Sequence, residues 1–240
     1  MFRPARTSAA HKLKIRNLVA DVKNLVIFGT RQIAEVCSFY FRHDSQYRVV
    51  AHTVDRAFFD EPTCGDLPVI PFEDVAERFP PAENEMFVAI GYGSMNRLRA
   101  EKVAAAKASG YALAHYVSSK AMTWPGLKVG ENSFVMEANV VQPFASIGTN
   151  TILWSGNHIG HHARIGDHCF LASHIVVSGN VEIGDHCFIG VNATLRDGIK
   201  VASRCLIGAG ALLLKDTKPD QVIAPPATEA SRVPSSRISP

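Results

Sequence analysis

The sequence has no long hydrophobic run, and its charge is nearly balanced. No apolar stretch approaches the roughly 18 residues of a membrane-spanning helix, so a membrane span is not predicted. A formal net charge of +3 in 240 residues is too small to indicate a nucleic-acid partner. The N-terminus lacks the continuous apolar core of a secretory signal. We therefore expect a cytoplasmic protein.

Cysteine is also scarce, with five in the chain. Cys37 and Cys64 show no metal-ligand spacing. Cys169, Cys187 and Cys205 lie eighteen residues apart, at equivalent positions of the repeat described below. We expect these three to be small buried side chains in a reduced protein.

The first twenty residues are basic and contain no acidic residue. Such a composition would also suit an organellar transit peptide. We interpret residues 1–22 as a basic extension that precedes the folded part.

One stretch of the chain has a strict six-residue period. Every sixth residue from Val129 to Leu213 is Val, Ile or Leu, at fifteen successive positions. These residue types make up roughly a fifth of the chain, so fifteen chance matches would have a probability on the order of 10⁻¹⁰. A six-residue repeat is the signature of a parallel β-helix, in which three hexads form one coil. Each coil must stack on its neighbours to bury its aliphatic side chains.

Two further features follow the same period. The hexapeptide IGDHCF occurs at 165–170 and again at 183–188, one coil of eighteen residues apart. A glycine follows the aliphatic residue in seven hexads, where we expect a backbone conformation that a side chain would penalise. These glycines are Gly130, Gly148, Gly160, Gly166, Gly184, Gly190 and Gly208.

The first half of the chain alternates between apolar runs and helical patterns. Such alternation predicts a small parallel sheet, which binds ligands at the carboxyl ends of its strands. The predicted strands are 24–29, 47–54, 67–71, 86–92 and 111–117, with the main helices after 29 and over 96–110. We expect an α/β domain over 23–117, a β-helix over 118–216 and a C-terminal tail over 217–240.

The segment GTRQIAEV follows the first predicted strand. Gly29 is its only glycine, so it is not a full dinucleotide-binding fingerprint. Gly29 could simply permit a tight turn. Alternatively, the helix N-terminus and Arg31 could bind a phosphate.

Histidine is concentrated in the β-helix. His168 and His186 occupy equivalent positions of the duplicated hexapeptide, which favours a structural role. By contrast, His158, His161 and His162 fall outside that duplication. Their His-x-x-His-His spacing suits metal ligands on a helix, but the hexad register places them on a strand and a corner.

General base catalysis is the other interpretation of these histidines. A neutral imidazole can take a proton from an amine or hydroxyl that attacks an acyl group. His174 is a lesser candidate, because it lies near this coil and has no equivalent one coil away.

The chain as a whole resembles a known family. An α/β unit followed by hexapeptide repeats, with GNHIGHHARIGDH in an early coil and IGAGALLLKD near the end, is similar to sugar acyltransferases of the sialic acid O-acetyltransferase and bacillosamine N-acetyltransferase type. The resemblance covers roughly residues 24–227. It implies a left-handed β-helix and a homotrimer with active sites at subunit interfaces. It also implies an acyl-CoA co-substrate and no metal.

The resemblance assigns the catalytic base to His161, within the pattern His-Asp/Glu-x-x-Ile-Gly. The acidic residue that follows the base in relatives is His162 here, and we expect both histidines in the catalytic site. We expect His174 and Asn157 to contact the acyl group or the oxyanion. The expected CoA contacts are Gly179, Val191, Gly208, Ala209 and Pro226. The expected contacts to a nucleotide-linked sugar are Gly29, Thr30, Arg31, Gln32, Asp55 and Arg97, and packing at the helix terminus is the alternative role for Arg97.

The predicted function is therefore acyl-CoA-dependent N-acylation of a nucleotide-linked amino sugar for surface polysaccharide synthesis. Acetyl is the expected acyl group, and a hydroxyacyl group is an alternative. O-acetylation of a sugar hydroxyl needs the same base and remains open. A non-catalytic sugar-nucleotide-binding protein and a metal-dependent hydratase are alternatives of other classes.

Overall fold

The computed structural model describes residues 22–230, Val233 and residues 235–237. The predicted basic extension lies outside this part of the chain, apart from Val22. Within it, an α/β domain is followed by a long stack of short parallel strands. No helix in the described residues is long and apolar enough to cross a membrane.

The α/β domain contains a five-stranded sheet in the order β3-β4-β2-β1-β5. All neighbouring strands are parallel except β3 and β4, which are antiparallel. The strands are β1 (Lys23–Phe28), β2 (Tyr47–Val54), β3 (Thr63–Cys64), β4 (Leu67–Pro71) and β5 (Asn84–Val88). The helices are α1 (Gln32–His43), α2 (Val75–Arg78) and α3 (Arg97–Ala108), with a 3-10 turn at Arg56–Phe58.

The predicted strands at 24–29, 47–54 and 67–71 are confirmed, and the strand predicted over 86–92 ends earlier, at Val88. The prediction for 111–117 was wrong in its pairing. Only Tyr116–Val117 (β6) is a strand, and it pairs with the β-helix rather than closing the α/β sheet. Leu113 makes only an isolated bridge to Met86 of β5. This segment therefore leads directly from one domain into the other.

In the β-helix each hexad contributes one two-residue strand, and strands eighteen residues apart pair in parallel. The result is a triangular prism with three parallel sheets as its faces. Its further strands are β7 (Lys128–Val129), β8 (Phe134–Val135), β9 (Val140–Val141), β10 (Ser146–Ile147), β11 (Ile152–Leu153), β12 (His158–Ile159), β13 (Arg164–Ile165), β14 (Phe170–Leu171), β15 (Val176–Val177), β16 (Glu182–Ile183), β17 (Phe188–Ile189), β18 (Thr194–Leu195), β19 (Lys200–Val201), β20 (Leu206–Ile207), β21 (Leu212–Leu213) and β22 (Val222–Ile223).

The aliphatic residues of the repeat form the core of the prism, as predicted. From Val135 to Leu213 each is at most 3% exposed, and only Val129, in the first coil, is partly buried. Cys169, Cys187 and Cys205 are free thiols with 0% exposure in the same core. Their predicted role as small buried residues is confirmed.

The residue before each aliphatic points outward, so each face has its own chemistry. On the charged face, Glu182 Oε1 lies 3.7 Å from Arg164 Nη1, and Glu182 Oε2 lies 3.4 Å from Lys200 Nζ. The outward residues of the charged face are Lys128, Ser146, Arg164, Glu182 and Lys200.

The docked face carries large apolar side chains that pack against the α/β domain. Phe134, Ile152 and Phe170 are buried in one cluster with Phe41 and Phe87 of that domain. The outward residues of the docked face are Phe134, Ile152, Phe170, Phe188, Leu206 and Val222.

The open face has no domain packed on it in the described chain, yet it is largely apolar. Val176 is 39% exposed and Leu212 is 64% exposed. Met122, which bridges to the first strand of this face, is 65% exposed. The outward residues of the open face are Val140, His158, Val176, Thr194 and Leu212.

A buried arginine joins the two domains. Arg99 of α3 has 0% exposure and donates to the carbonyl oxygens of Ile90 and Gly91 in the α/β domain. It also donates to the carbonyl oxygens of Asn150 and Cys169 in the β-helix. Burial lowers the pKa of Arg99 to about 10, so the guanidinium remains charged at neutral pH.

The glycines that follow the aliphatic residues have a different explanation from the one we predicted. None of the seven has a positive φ. They are required because the next coil approaches too closely for a side chain. A Cβ at Gly166 would lie 2.5 Å from Asp185 Oδ1 and 2.8 Å from the carbonyl carbon of Gly184.

We predict that Gly166→Ala lowers the free energy of unfolding by about 1–3 kcal/mol, because the added methyl group overpacks the contact between coils. Urea unfolding followed by circular dichroism would measure this. Gly93→Ala is the matched control, since a Cβ at Gly93 meets nothing within 4 Å. Equal stability of the two variants would contradict the explanation.

We also predict that Arg99→Met lowers the free energy of unfolding by roughly 3 kcal/mol or more, because several buried carbonyl oxygens lose their donor. The control is Arg97→Met, since Arg97 is exposed and donates only to the Ser94 carbonyl. The same unfolding measurement applies. If Arg99→Met matched its control, the proposed role of Arg99 in joining the domains would be wrong.

Candidate functional site

His161 lies on the prism edge between the open and charged faces. We call residues 160–163 and their equivalents at 142–145, 178–181 and 196–199 the His161 corner. The His161 side chain is exposed, and its backbone N–H donates to Gln142 Oε1 at 2.8 Å. Its imidazole lies over Gly179 of the next coil, where a Cβ would be 2.7 Å from His161 Nε2. The ring is therefore accessible and lies against the backbone of the next coil.

His162 supports the neighbouring ring. Its Nδ1 lies 3.2 Å from His161 Nδ1, so one ring donates a hydrogen bond and the other accepts it. The His162 ring packs on Phe144, with centroids 4.7 Å apart. Phe144 is itself 78% exposed. The structure thus brings together both histidines that were predicted for the catalytic site.

The third residue after each aliphatic from Val129 to Ile207 adopts the left-handed conformation. Its φ is 59° at His162 and 58° at His174, and also 58° at His168 and His186. Asn and His are enriched in this conformation among non-glycine residues. No histidine stands one coil away from His162 or His174, as the sequence indicated, but the same position of other hexads holds His168 and His186. Local backbone geometry favours histidine at both positions, whereas His161 has no such explanation.

His174 lies on a different edge from His161 within one chain. It belongs to residues 172–175 which, with 154–157, 190–193 and 208–211, form the His174 corner between the docked and open faces. A Cβ at Gly156 would lie 2.6 Å from the His174 ring, so the ring folds over the preceding coil. The open face separates the two corners, and His174 cannot assist His161 of the same chain.

Asn157 is 1% exposed. Its Nδ2 donates to the Trp154 carbonyl at 2.6 Å, and its Oδ1 accepts from the Ile175 N–H at 2.8 Å. Both polar ends therefore hold adjacent coils together. The contact of Asn157 with an acyl group or oxyanion stays a prediction, and in this structure the amide serves the scaffold.

The expected CoA contacts are divided between the two corners. Gly179 is in the His161 corner, whereas Val191, Gly208 and Ala209 are in the His174 corner. Val191 is 42% exposed. Pro226 follows Pro225, which lies near Gly208. A ligand that contacted all of these positions would have to span two edges or two copies of the chain.

A cavity of about 700 Å³ lies at the carboxyl ends of β1, β2 and β5. Gly29 is required there, since its φ is 128° and a Cβ would lie 2.9 Å from the Ala89 carbonyl oxygen. The N-terminus of α1 borders this cavity, and no side chain caps its first N–H groups. The lining includes Gly29, Thr30, Arg31, Gln32, Asp55, Phe58 and Lys102.

The charged residues of this cavity differ in part from those predicted. Asp55 is present, but it forms an ion pair with Lys102 at 2.7 Å. Arg97 is outside the lining, since its Nε donates to the Ser94 carbonyl. Lys102 rather than Arg97 lines the cavity. The sequence offers no signal for this exchange, because both residues lie in α3 and only the docking of the helix decides which one faces the cavity.

The arrangement combines an exposed imidazole on the β-helix with a partly basic cavity of about 700 Å³ on the α/β domain. A neutral imidazole can accept a proton from a nucleophile, and an uncapped helix N-terminus suits an anion. Within residues 22–230, no group of three or more His, Cys, Asp or Glu side chains is placed to hold a metal ion.

The sequence matches two hexapeptide families. The bacterial transferase hexapeptide (six repeats) matches residues 162–197, and the hexapeptide repeat of succinyl-transferase matches residues 180–215. No curated protein sequence matches the chain.

Solved structures share the architecture of both domains. The acetyltransferase domain of PglB from Neisseria gonorrhoeae aligns with a TM-score of 0.76 and 24% identity, over 85% of this chain and 97% of that one. The same domain in complex with acetyl coenzyme A aligns with a TM-score of 0.75 and 23% identity, over 85% and 96%. PerB from Caulobacter crescentus, in complex with CoA and GDP-perosamine, aligns with a TM-score of 0.74 and 25% identity, over 85% and 95%. The predicted fold, an α/β domain followed by a left-handed β-helix, is thereby confirmed.

Proposed function

We propose that this protein is an acyl-CoA-dependent N-acyltransferase that acts on a nucleotide-linked amino sugar, with acetyl as the default acyl group. The observation that carries the proposal is the exposed His161 imidazole. It is the one histidine of its corner that neither the repeat nor the backbone conformation explains. The shared fold with PerB, which holds CoA and GDP-perosamine, supports the same substrate classes.

His161 is the proposed general base. It would accept a proton from the acceptor amine, and His162 would hold the ring through the contact between their Nδ1 atoms. Backbone N–H groups of the corner would donate to the oxyanion of the tetrahedral intermediate. A proton acceptor of this kind typically contributes about 10²–10⁴ in rate.

The α/β cavity is the proposed nucleotide site. The first N–H groups of α1 and the side chain of Arg31 would face the diphosphate, because a helix N-terminus favours anions. Thr30 lies in the loop before α1, and Gln32 is the first residue of α1. The ion pair of Asp55 with Lys102 would present one partner to the sugar or ribose hydroxyls.

The acyl-CoA would lie along the prism, in contact with the corners. Gly179 in the His161 corner and Val191, Gly208 and Ala209 in the His174 corner are the proposed backbone contacts, with Pro226 beyond them. The PglB domain in complex with acetyl coenzyme A supports acetyl-CoA as the donor. Because acyl-CoA is made and used in the cytoplasm, we propose the same location for this protein.

The proposed active site needs more than one copy of the chain. The α/β domain packs on the docked face, which is the face opposite the His161 corner. A nucleotide sugar in that domain therefore cannot reach His161 of its own chain. Three copies that meet through their open faces would place the His161 corner of one beside the His174 corner and α/β domain of the next. Exposed Val176 and Leu212 would then be buried.

The catalytic proposal predicts thiol release from acetyl-CoA with at least one member of a panel of GDP-, UDP- and dTDP-linked amino sugars. His161→Ala should lower kcat by at least about 100-fold, because the proton acceptor is lost. His43→Ala is the control, since His43 is exposed on α1 and contacts only Phe39.

Proton release distinguishes an amine from a hydroxyl acceptor in the same assay. In weak buffer near pH 7, an acceptor that enters as an ammonium releases about one proton for each CoA thiol, whereas a hydroxyl acceptor releases none. Full turnover by His161→Ala would refute the assignment of the base. Thiol release without proton release would indicate O-acylation.

The assembly proposal predicts that the wild-type protein is a trimer and that Val176→Glu is a monomer. A charge on the open face would be left unpaired in the interface. Lys128→Glu, on the charged face, should remain trimeric. Size-exclusion chromatography with light scattering would measure all three. A trimeric Val176→Glu would show that the open face is not the interface.

A further inference from the structure

Gly179 lies between two side chains, one from the coil before it and one from the coil after it. A Cβ on this glycine would lie 2.6 Å from His161 Cε1, 2.7 Å from His161 Nε2 and 2.8 Å from Asp197 Oδ2. His161 comes from the coil before and Asp197 from the coil after. The imidazole nitrogen and the carboxylate oxygen therefore converge on one point above a residue without a side chain.

Asp197 makes no polar contact of its own in the described part of the chain. Its side chain is exposed, and no hydrogen bond or ion pair involves it among residues 22–230. Other aspartates of the prism differ, since Asp167 accepts from the Thr149 N–H and Asp185 accepts from the Asp167 N–H. Asp197 is thus a free carboxylate beside the proposed base.

His161 Nε2 and Asp197 Oδ2 can be at most about 5.5 Å apart, because they lie 2.7 Å and 2.8 Å from the same point. His161 Nε2 and Asp197 Oδ2 form no hydrogen bond with each other in this structure, although both flank the same point. Two acceptors that take hydrogen bonds of about 2.8 Å from one tetrahedral ammonium nitrogen lie about 4.6 Å apart. An ammonium group can donate to both acceptors at once. A hydroxyl group has one proton and can donate to only one of them.

We infer that Asp197 is a specificity-determining residue, which with His161 binds the acceptor as an ammonium ion and so selects amino sugars over sugars that carry a hydroxyl at that position. The inference rests on the proposed acyltransferase function. Asp197, two coils away from His161, would supply the negative charge that His162 lacks.

The proton balance of the step follows from this arrangement. His161 takes one proton from the bound ammonium and leaves a neutral amine, whose lone pair attacks the thioester carbonyl carbon. The C–N bond forms and the C–S bond breaks, and the departing thiolate takes the proton from the imidazolium. A second proton of the nitrogen passes to solvent, and the third remains on the amide. Asp197 stays ionised throughout.

The test compares Asp197→Asn with the wild-type protein on two ligands. One is the amino-sugar nucleotide that turns over fastest in the panel described above, and the other is the same nucleotide sugar with a hydroxyl in place of the amine. Asp197→Asn should raise the KM for the amine about tenfold, the value of one charge-assisted hydrogen bond. The dissociation constant of the hydroxyl compound, measured by calorimetry, should change by less than about twofold. The KM for acetyl-CoA should also be unchanged.

Glu182→Gln is the matched control, since it removes the same charge from the charged face, and it should behave as wild type for both ligands. Equal weakening of the amine and hydroxyl ligands in Asp197→Asn would overturn the inference, as would no change for the amine. Either result leaves the proposed function intact, because the wild-type protein still acylates the amine. If the wild-type protein acylates no member of the panel, both the proposed function and this inference fail.

Discussion

The stacking of one coil on the next, at the spacing of hydrogen-bonded strands, is the constraint on which the rest of this structure depends. A coil buries its aliphatic residue only against the coils above and below it, so neighbours must approach to within backbone contact. The same approach excludes a side chain at Gly166. It also aligns equivalent residues in columns along each edge. A residue on an edge therefore has two sets of neighbours, those beside it in the chain and those eighteen residues away.

The three faces of the prism divide the remaining tasks, because the outward residue of each strand is free to differ from face to face. Aromatic and aliphatic residues fix the α/β domain on the docked face, where Arg99 satisfies carbonyl oxygens of both domains. The charged face carries mainly charged outward residues and remains in contact with solvent. The open face is left apolar. Its two bordering edges carry His161 and His174, so association through this face would bring the two kinds of edge together.

Much of this architecture could be predicted from the sequence, because the repeat is a local pattern with a long-range meaning. The core ladder and the buried cysteines followed from spacing, and most strands of the α/β domain followed from apolar runs. The contacts that individual side chains make depend on packing, which spacing does not show. Asn157 holds neighbouring coils together, and Lys102 rather than Arg97 lines the cavity. Arg99 carries no sequence signal at all, since a buried and an exposed arginine in one helix look alike.

The position of Asp197 relative to His161, by contrast, can be predicted from the six-residue period. It stands thirty-six residues after His161 and eighteen after Gly179, in the same column. The residue beside the histidine in the chain is His162, which is not acidic. In a solenoid, the residue above an active group is as close as the residue next to it, provided that the position between them has no side chain. Gly179 meets that condition, so the neighbourhood of a candidate site in such a fold should be read along the column as well as along the sequence.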